Sequence, residues 1–491
     1  MNALPTDLDL CYVATHGFAV RMVFQTGLLG QLAARGLRVG VIVPDAQDQN
    51  LVELCRRDGV VPIAYPCSPA PAARWLKSLR KYVVEDIRRN PCLWDKHQEV
   101  LAANARRPHK KMAATLGLLI NDVVEQLPIL RRWFLAAEQR LLLRSEVVAF
   151  LRQLGVRTLV ATYPVAAPEP ELLLAARALG LQTVLHLLSW DNITAKGHFQ
   201  ALADHYLTWG PTMEEELQQF YGVAPDRMTR CGVPHFDLYF QPPTPVESPL
   251  LQQLAGGRPY LFFAMSAARY APGETAILAQ LCEATVPGGA LAGVRIVARP
   301  HPSALAGVMR DTATLDALRR LENTHGLLVS LPQMVAGSRM NWSVQDSDMH
   351  ELVGLLRGAA VVLNSGSTVA VEALALGRPV VITSYDGPEN RPYAQSARRL
   401  RDYPHLAKLI GDGGGAVVES HTALLAQITT LLAAPETGAE ARAHALFRQI
   451  GDQDGKATER VVAALVRALP QVPGTGQGAR EVPPPTPSAR A

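Results

Sequence analysis

Short, wholly apolar runs alternate with amphipathic stretches twice along this chain, and that alternation restricts the fold more than any other feature. Near the start, Leu8 to Ala14, Leu37 to Val43 and Val60 to Ala64 read as buried strands. Arg21 to Arg35 and Asn50 to Asp58 between them read as helices. A β-α-β-α-β order requires parallel strands joined by crossovers. The pattern resumes at Thr158 to Thr162, Thr183 to Leu187 and His205 to Trp209. It then stops at Gln241-Pro242-Pro243-Thr244-Pro245, a segment suited to a domain linker. A second series follows at Tyr260 to Met265, Val294 to Ala298, Leu327 to Ser330, Ala360 to Leu363 and Pro379 to Thr383. The expected fold is α/β, with two tandem doubly wound Rossmann-like domains. Their expected limits are 1–240 and 259–470, with a linker over 241–258 and a disordered, proline-rich tail over 471–491.

Residues 71–157 break the first series and read as a basic helical insertion, with 17 Lys or Arg against 8 Asp or Glu. Elsewhere the balance is 31 against 36, and the formal net charge of the 491 residues is only +4. That excess is too small to indicate a nucleic-acid partner. The insertion interleaves its cations with Trp75, Trp94, Trp133 and Phe134, a mixture suited to peripheral contact with an anionic membrane or acceptor. No window has the ~18 uninterrupted apolar residues of a membrane span, and Asp7 and Asp9 stand where a secretory signal would be basic and apolar. Six scattered cysteines form no CxxC pair or Cys/His cluster, so no metal site or cofactor is expected. The expected location is the cytoplasm, extending to the inner face of the membrane.

The most informative segment is Ala360 to Pro379: an apolar strand, the turn Asn364-Ser365-Gly366-Ser367-Thr368, then a helix containing Glu372 and closed by Gly377 and Pro379. Backbone amides at such a helix start favour a phosphate, and Glu372, four residues after Thr368, shares its helix face. The loop Arg299-Pro300-His301-Pro302 follows a strand, where two prolines keep His301 out of a helix and able to donate to a phosphate oxygen. Ser266 and Arg269 occupy the loop after the first strand of the same domain, and thus the same sheet edge. The plainer readings are an ordinary helix cap, a satisfied loop histidine and a surface arginine.

The Ser365-Gly-Ser-Thr-x-x-x-Glu372-Ala-x-x-x-Gly377-x-Pro379 pattern, the Arg-Pro-His301-Pro loop and the tandem α/β layout resemble GT-B glycosyltransferases of bacterial surface-polysaccharide synthesis. The resemblance implies an N-terminal acceptor domain and a C-terminal domain that binds a nucleotide-sugar donor through Arg299, His301, Ser365 to Thr368, Glu372, Ser266 and Arg269. It also implies a glycan or lipid-linked acceptor, and a final helix, beginning near Asp454-Gly455-Lys456, that crosses back to the first domain. Many retaining members carry a second glutamate eight residues before the first; here that position is Asn364, which favours an inverting transfer. Inversion needs a base near the acceptor hydroxyl, and two residues are suited to it. They are His16, in the loop after the first strand, and Asp191, in Trp190-Asp191-Asn192-Ile193-Thr194-Ala195-Lys196. His235 and Asp237, just before the linker, read as hinge structure. Nucleotide-sugar 2-epimerases and polyol-phosphate transferases resemble the same motifs, and a GT-B protein that only binds a ligand is a third alternative.

Overall fold

The computed structural model describes residues 5–68, 73–243, 245–305, 310–336 and 344–470. The proline-rich tail expected beyond 470 lies outside the described residues. Seven parallel strands form the first sheet: β1 (Leu10–Val13), β2 (Val39–Val43), β3 (Val61–Ala64), β4 (Thr158–Ala161), β5 (Gln182–His186), β6 (His205–Thr208) and β7 (Met228–Arg230). Their order is β3-β2-β1-β4-β5-β6-β7. Six more form the second: β8 (Tyr260–Ala264), β9 (Arg295–Arg299), β10 (Leu328–Val329), β11 (Val361–Asn364), β12 (Val380–Thr383) and β13 (Ala416–Val418), in the order β10-β9-β8-β11-β12-β13. β1, β2 and β4 are buried throughout, as are β8, β11 and β12, so both sheets are covered on both faces by helices. Strand order reverses between β1 and β4 in one sheet and between β8 and β11 in the other. Those two switch points are where open α/β sheets leave a crevice beyond the strand ends.

The first crossover departs from the expected single helix over Arg21 to Arg35. Gly17–Ala19 is one helical turn, Val20–Phe24 is a π-helical turn, and Leu28–Ala34 is a separate helix. Gly27, with φ of 68°, separates the last two. The insertion consists of helices Ala73–Val83, Pro91–Ala103, Pro108–Gln126 and Pro128–Leu142. The next helix, Ser145–Leu154, is the crossover that feeds β4, so the added structure ends earlier than residue 157. The segment between the sheets contains a short helix, Pro249–Leu254, capped by Ser248.

The chain then returns. Helices Ala439–Ile450 and Ala457–Ala468 pack on the first sheet's helices Pro211–Tyr221 and Leu28–Ala34, respectively. The carboxylate of Asp237 accepts the backbone N–H groups of Ala457 and Thr458, both at 2.8 Å, and so caps the last helix from the far side of the linker. At Gly210 a β-carbon would lie 2.6 Å from the Gln449 backbone, and this close approach requires glycine.

Candidate functional site

The loops at the two switch points face each other. β11 ends at Asn364, whose fully buried Oδ1 accepts the N–H groups of Gly366 (2.7 Å) and Ser367 (3.1 Å). The side chain at the position where a second glutamate was sought therefore shapes the turn, and two of the amides expected to be open are already satisfied. Thr368 and Val369, at the start of the next helix, lie in the wall of the cleft. Gly366 has φ of 117°, and a β-carbon there would sit 2.4 Å from Leu406 Cδ2. Ser365 is buried, with its hydroxyl 2.8 Å from Thr383 Oγ1, and does not line the cleft.

His301 follows β9. Its Nδ1 accepts the Ser303 N–H at 3.1 Å and lies 2.7 Å from Ser303 Oγ, which leaves the proton of a neutral ring on Nε2. Burial lowers its pKa to about 4, so at pH 7 it is a neutral donor. Arg299 is committed elsewhere: its guanidinium holds both Asp348 oxygens at 2.7 Å and Ser330 Oγ at 2.7 Å, out of water. Arg269 pairs with Glu99 of the insertion at an exposed position, and the Ser266 N–H is held by Glu274 at 2.8 Å. Neither Arg269 nor Ser266 lines the cleft.

Glu372 makes a buried contact between the domains. One carboxylate oxygen pairs with Arg21 Nη2 at 3.1 Å and the other accepts the Tyr239 hydroxyl at 2.6 Å, and the side chain is only 1% exposed. Arg21 projects from the π-helical turn after β1, a conformation common at functional sites. Around these groups lies an interdomain cavity of about 180 Å³, walled by Phe18, Arg21 and Gln25 on one side and His301, Ser367 and Thr368 on the other. Three buried polar atoms in that wall have no hydrogen-bond partner among the described residues: Arg21 Nε, Gln25 Oε1 and Ser367 Oγ. Native proteins seldom leave such groups unpaired unless a ligand or water meets them.

A second cluster adjoins the cavity through His16, which caps the Gly17 turn by accepting the Phe18 N–H on Nδ1 at 3.2 Å. The His16 ring lies 5.2 Å from that of Tyr163, in the loop after β4. Burial and the nearby Lys196 lower the His16 pKa, against the opposing pull of Asp191. Asp191 forms an ion pair with Lys196 at 2.8 Å. Burial alone would raise the Asp191 pKa, but Lys196, His405 and hydrogen bonds outweigh it and hold the carboxyl below its ordinary range. His405, from the second domain, packs on Trp190 with ring centroids 4.9 Å apart, and burial lowers its pKa to about 4 against the opposing pull of Asp191.

The structure thus groups His301, Ser367, Thr368 and Glu372 around one cavity and His16 with Asp191 beside it. Ser365, Ser266 and Arg269 stand outside the cavity wall, and Arg299 reaches it already paired. His235 is buried between Phe18 and Trp209, near the domain contact. Among the described residues no group of His, Cys, Asp and Glu is arranged to hold a metal ion. Lys196 belongs to the stretch already singled out around Asp191, whereas Arg21, Gln25 and Tyr239 are site residues that no sequence motif marks. Arg21 had a signal, being a lone charge within the apolar run Phe18 to Phe24 that has to find a partner.

No protein-family model and no curated protein matches the sequence. Among solved structures the chain is similar to a putative UDP-N-acetylglucosamine 2-epimerase from Listeria monocytogenes, with 12% identity and a TM-score of 0.54 over 95% of this chain and 96% of that one. It is also similar to S. aureus MnaA in a co-structure with UDP (10% identity, TM-score 0.52, covering 94% and 96%). A third is UDP-GlcNAc 2-epimerase from Neisseria meningitidis bound to UDP-GlcNAc (11%, 0.50, covering 93% and 99%). The fold is GT-B. The similarity runs over nearly the full length of both chains. At these identities it speaks to architecture and leaves the chemistry to the site itself.

Proposed function

We propose that the protein binds a nucleotide sugar in the interdomain cavity and transfers its sugar to a hydroxyl acceptor, with inversion. The observation that carries this reading is the set of unpartnered buried polar atoms, Arg21 Nε, Gln25 Oε1 and Ser367 Oγ, in a wall that also presents the His301 imidazole and the Thr368 and Val369 amides. The donors among them, Arg21 Nε, Ser367 Oγ, the His301 ring and the two amides, suit a diphosphate and stabilise charge where it develops as the sugar–phosphate bond breaks, whereas Gln25 Oε1 is an acceptor and suits a hydroxyl. A neutral His301 donating through Nε2 stays competent throughout the neutral range, since burial keeps its pKa near 4. The cavity, about 180 Å³, is smaller than the ~300–1,000 Å³ usual for ligand pockets, so the domains must part to admit a whole nucleotide sugar and then close to exclude water.

The cluster beyond His16 supplies the acceptor side. Asp191 accepts the acceptor hydroxyl's proton once an incoming phosphate or hydroxyl draws Lys196 away from it, because the Lys196 ion pair otherwise weakens the carboxylate as a base. His16, whose Nδ1 is engaged by a backbone amide, orients the hydroxyl through Nε2–H. The test is a turnover assay with nucleotide sugars and a panel of glycan and lipid-linked acceptors. Asp191→Asn should lower kcat by about 10²–10⁴-fold with little change in KM for the donor. Conversion of a nucleotide sugar with no acceptor present would replace transfer by epimerisation, the chemistry named for the Listeria and Neisseria proteins. Release of a nucleoside monophosphate would indicate polyol-phosphate transfer instead, and saturable binding without turnover would leave a binding protein.

A further inference from the structure

The inserted helices carry an apolar surface with nothing packed on it. Helix Pro108–Gln126 has two apolar faces. One, formed by Ala114, Gly117, Leu118 and Val124, is buried, with Tyr82 lying against Gly117. The other repeats Met112, Leu116, Leu119 and Val123 at spacings of four, three and four, and these side chains are between 54% and 70% exposed. Past the corner at Leu127 the stripe continues on helix Pro128–Leu142 through Ile129, Trp133 and Leu141, with Trp133 67% exposed. A face that met only water would carry charge at these positions.

Two further observations identify what covers it. Together the two helices are apolar enough for a membrane segment, yet they are bent by 109° at Leu127–Pro128, and among the described residues no single helix is long and apolar enough to cross a bilayer. A bent pair of this composition fits the plane of the interface, with its apolar stripe among the acyl chains. The charges around the stripe that have no ion pair among the described residues are basic. Arg106, Arg107, Lys110 and Lys111 precede Met112, Arg132 adjoins Trp133, and Arg140 adjoins Leu141. None of these six has an ion pair among the described residues. The helix's two acidic side chains, Asp122 and Glu125, are neutralised by Arg88 and Arg89. Uncompensated cations around exposed aliphatic and indole side chains complement lipid phosphate.

We propose that the Pro108–Leu142 helix pair docks the protein on an anionic lipid bilayer, with Leu116, Leu119 and Trp133 inserted below the headgroups. The same insertion holds the loop that bears Asp191: Asn90 Nδ2 donates to the Thr194 carbonyl at 2.7 Å, and Lys96 Nζ donates to that of Ala195. The docked bilayer is thereby tied to the Asp191 side of the cleft. This inference is independent of the proposed activity, because lipid binding alone reads it.

The experiment is flotation of the full-length protein with large unilamellar vesicles of phosphatidylglycerol and phosphatidylcholine, with pure phosphatidylcholine as control. Binding to the anionic vesicles is expected, weakening as salt rises, and Leu119→Glu combined with Trp133→Glu should reduce it about tenfold or more. Both side chains are exposed, so circular dichroism and thermal unfolding of the variant should match the native protein. Lys110→Glu with Lys111→Glu should also weaken binding and flatten its salt dependence. Absence of flotation with anionic vesicles, or equal flotation of native protein and the Leu119/Trp133 variant, would overturn the proposal. A self-association in sedimentation velocity, abolished by that variant and without lipid binding, would assign the surface to a second copy of the chain and overturn it equally.

Discussion

Glu372→Gln tests whether a buried ion pair ties the two domains together. In the native protein the carboxylate holds Arg21 Nη2 at 3.1 Å and the Tyr239 hydroxyl at 2.6 Å, with the two charged side chains 1% and 15% exposed. Glutamine preserves the volume but removes the charge that offsets the guanidinium, and its amide nitrogen must face one of two donors. Removing one partner of a buried pair costs about 3–5 kcal/mol. Arg21 keeps some solvent and its 3.2 Å bond to Tyr239, so the expected loss is at the lower end, about 3 kcal/mol. Tyr239→Phe leaves the ion pair intact and should cost less, about 1.5–3 kcal/mol for one hydrogen bond to a charged group. The decisive assay is a double-mutant cycle by urea unfolding over the native protein, Arg21→Met, Glu372→Gln and the double variant. A coupling energy of about 2 kcal/mol or more is expected, and one below about 0.5 kcal/mol would refute the argument that this pair joins the domains.

Other outcomes follow from single groups. His186, 1% exposed and beside the Tyr12 hydroxyl, has its pKa lowered by burial to about 4. The unfolded chain therefore binds the extra proton between pH 6.5 and 4. The stability contributed by the neutral ring is complete above pH 6.5 and is lost as pH falls through that window. From pH 7 to pH 5 the loss attributable to this residue is roughly 2 kcal/mol, and His186→Gln should narrow its stability deficit against the native protein by that amount. A difference between the two proteins that stays constant with pH would contradict the assignment. Gly366→Ala, at φ of 117° and facing Leu406, should destabilise the protein by about 1–3 kcal/mol and weaken nucleotide binding by disturbing the Ser367–Thr368 turn. Native-like unfolding and binding in that variant would show that the turn tolerates a side chain.

Both sheets were legible because fully buried parallel strands are written as unbroken apolar runs, such as Leu10 to Val13 and Val361 to Leu363, with Gly and Pro punctuation between them. The first crossover differs from the expected helix because Phe18 to Phe24 has the composition of an α-helix, while the partner of Arg21 in its π-helical turn is a carboxylate about 350 positions away. Pairing at that distance leaves no local period. The Ser365 to Thr368 turn was legible as a turn, but its inner detail was not. Which oxygen satisfies the Gly366 and Ser367 amides depends on the direction of the Asn364 side chain, and only the folded β11 end fixes it. Likewise the charge on Arg299 read as a ligand for phosphate, whereas Asp348, on a helix 49 positions later, neutralises it. His16 and Asp191 met because both follow strands of one sheet, a consequence of topology that the strand pattern already contained.

The central claim is that the interdomain cavity binds a nucleoside diphosphate through the second domain. Its most direct test is isothermal titration of the full-length protein with UDP, GDP, CDP and dTDP, repeated on His301→Ala. One nucleotide should bind saturably to the native protein. Loss of a hydrogen bond to a charged oxygen should then weaken it about tenfold or more in the variant. Undiminished affinity in His301→Ala, or no binding of any of these nucleotides, would contradict the account.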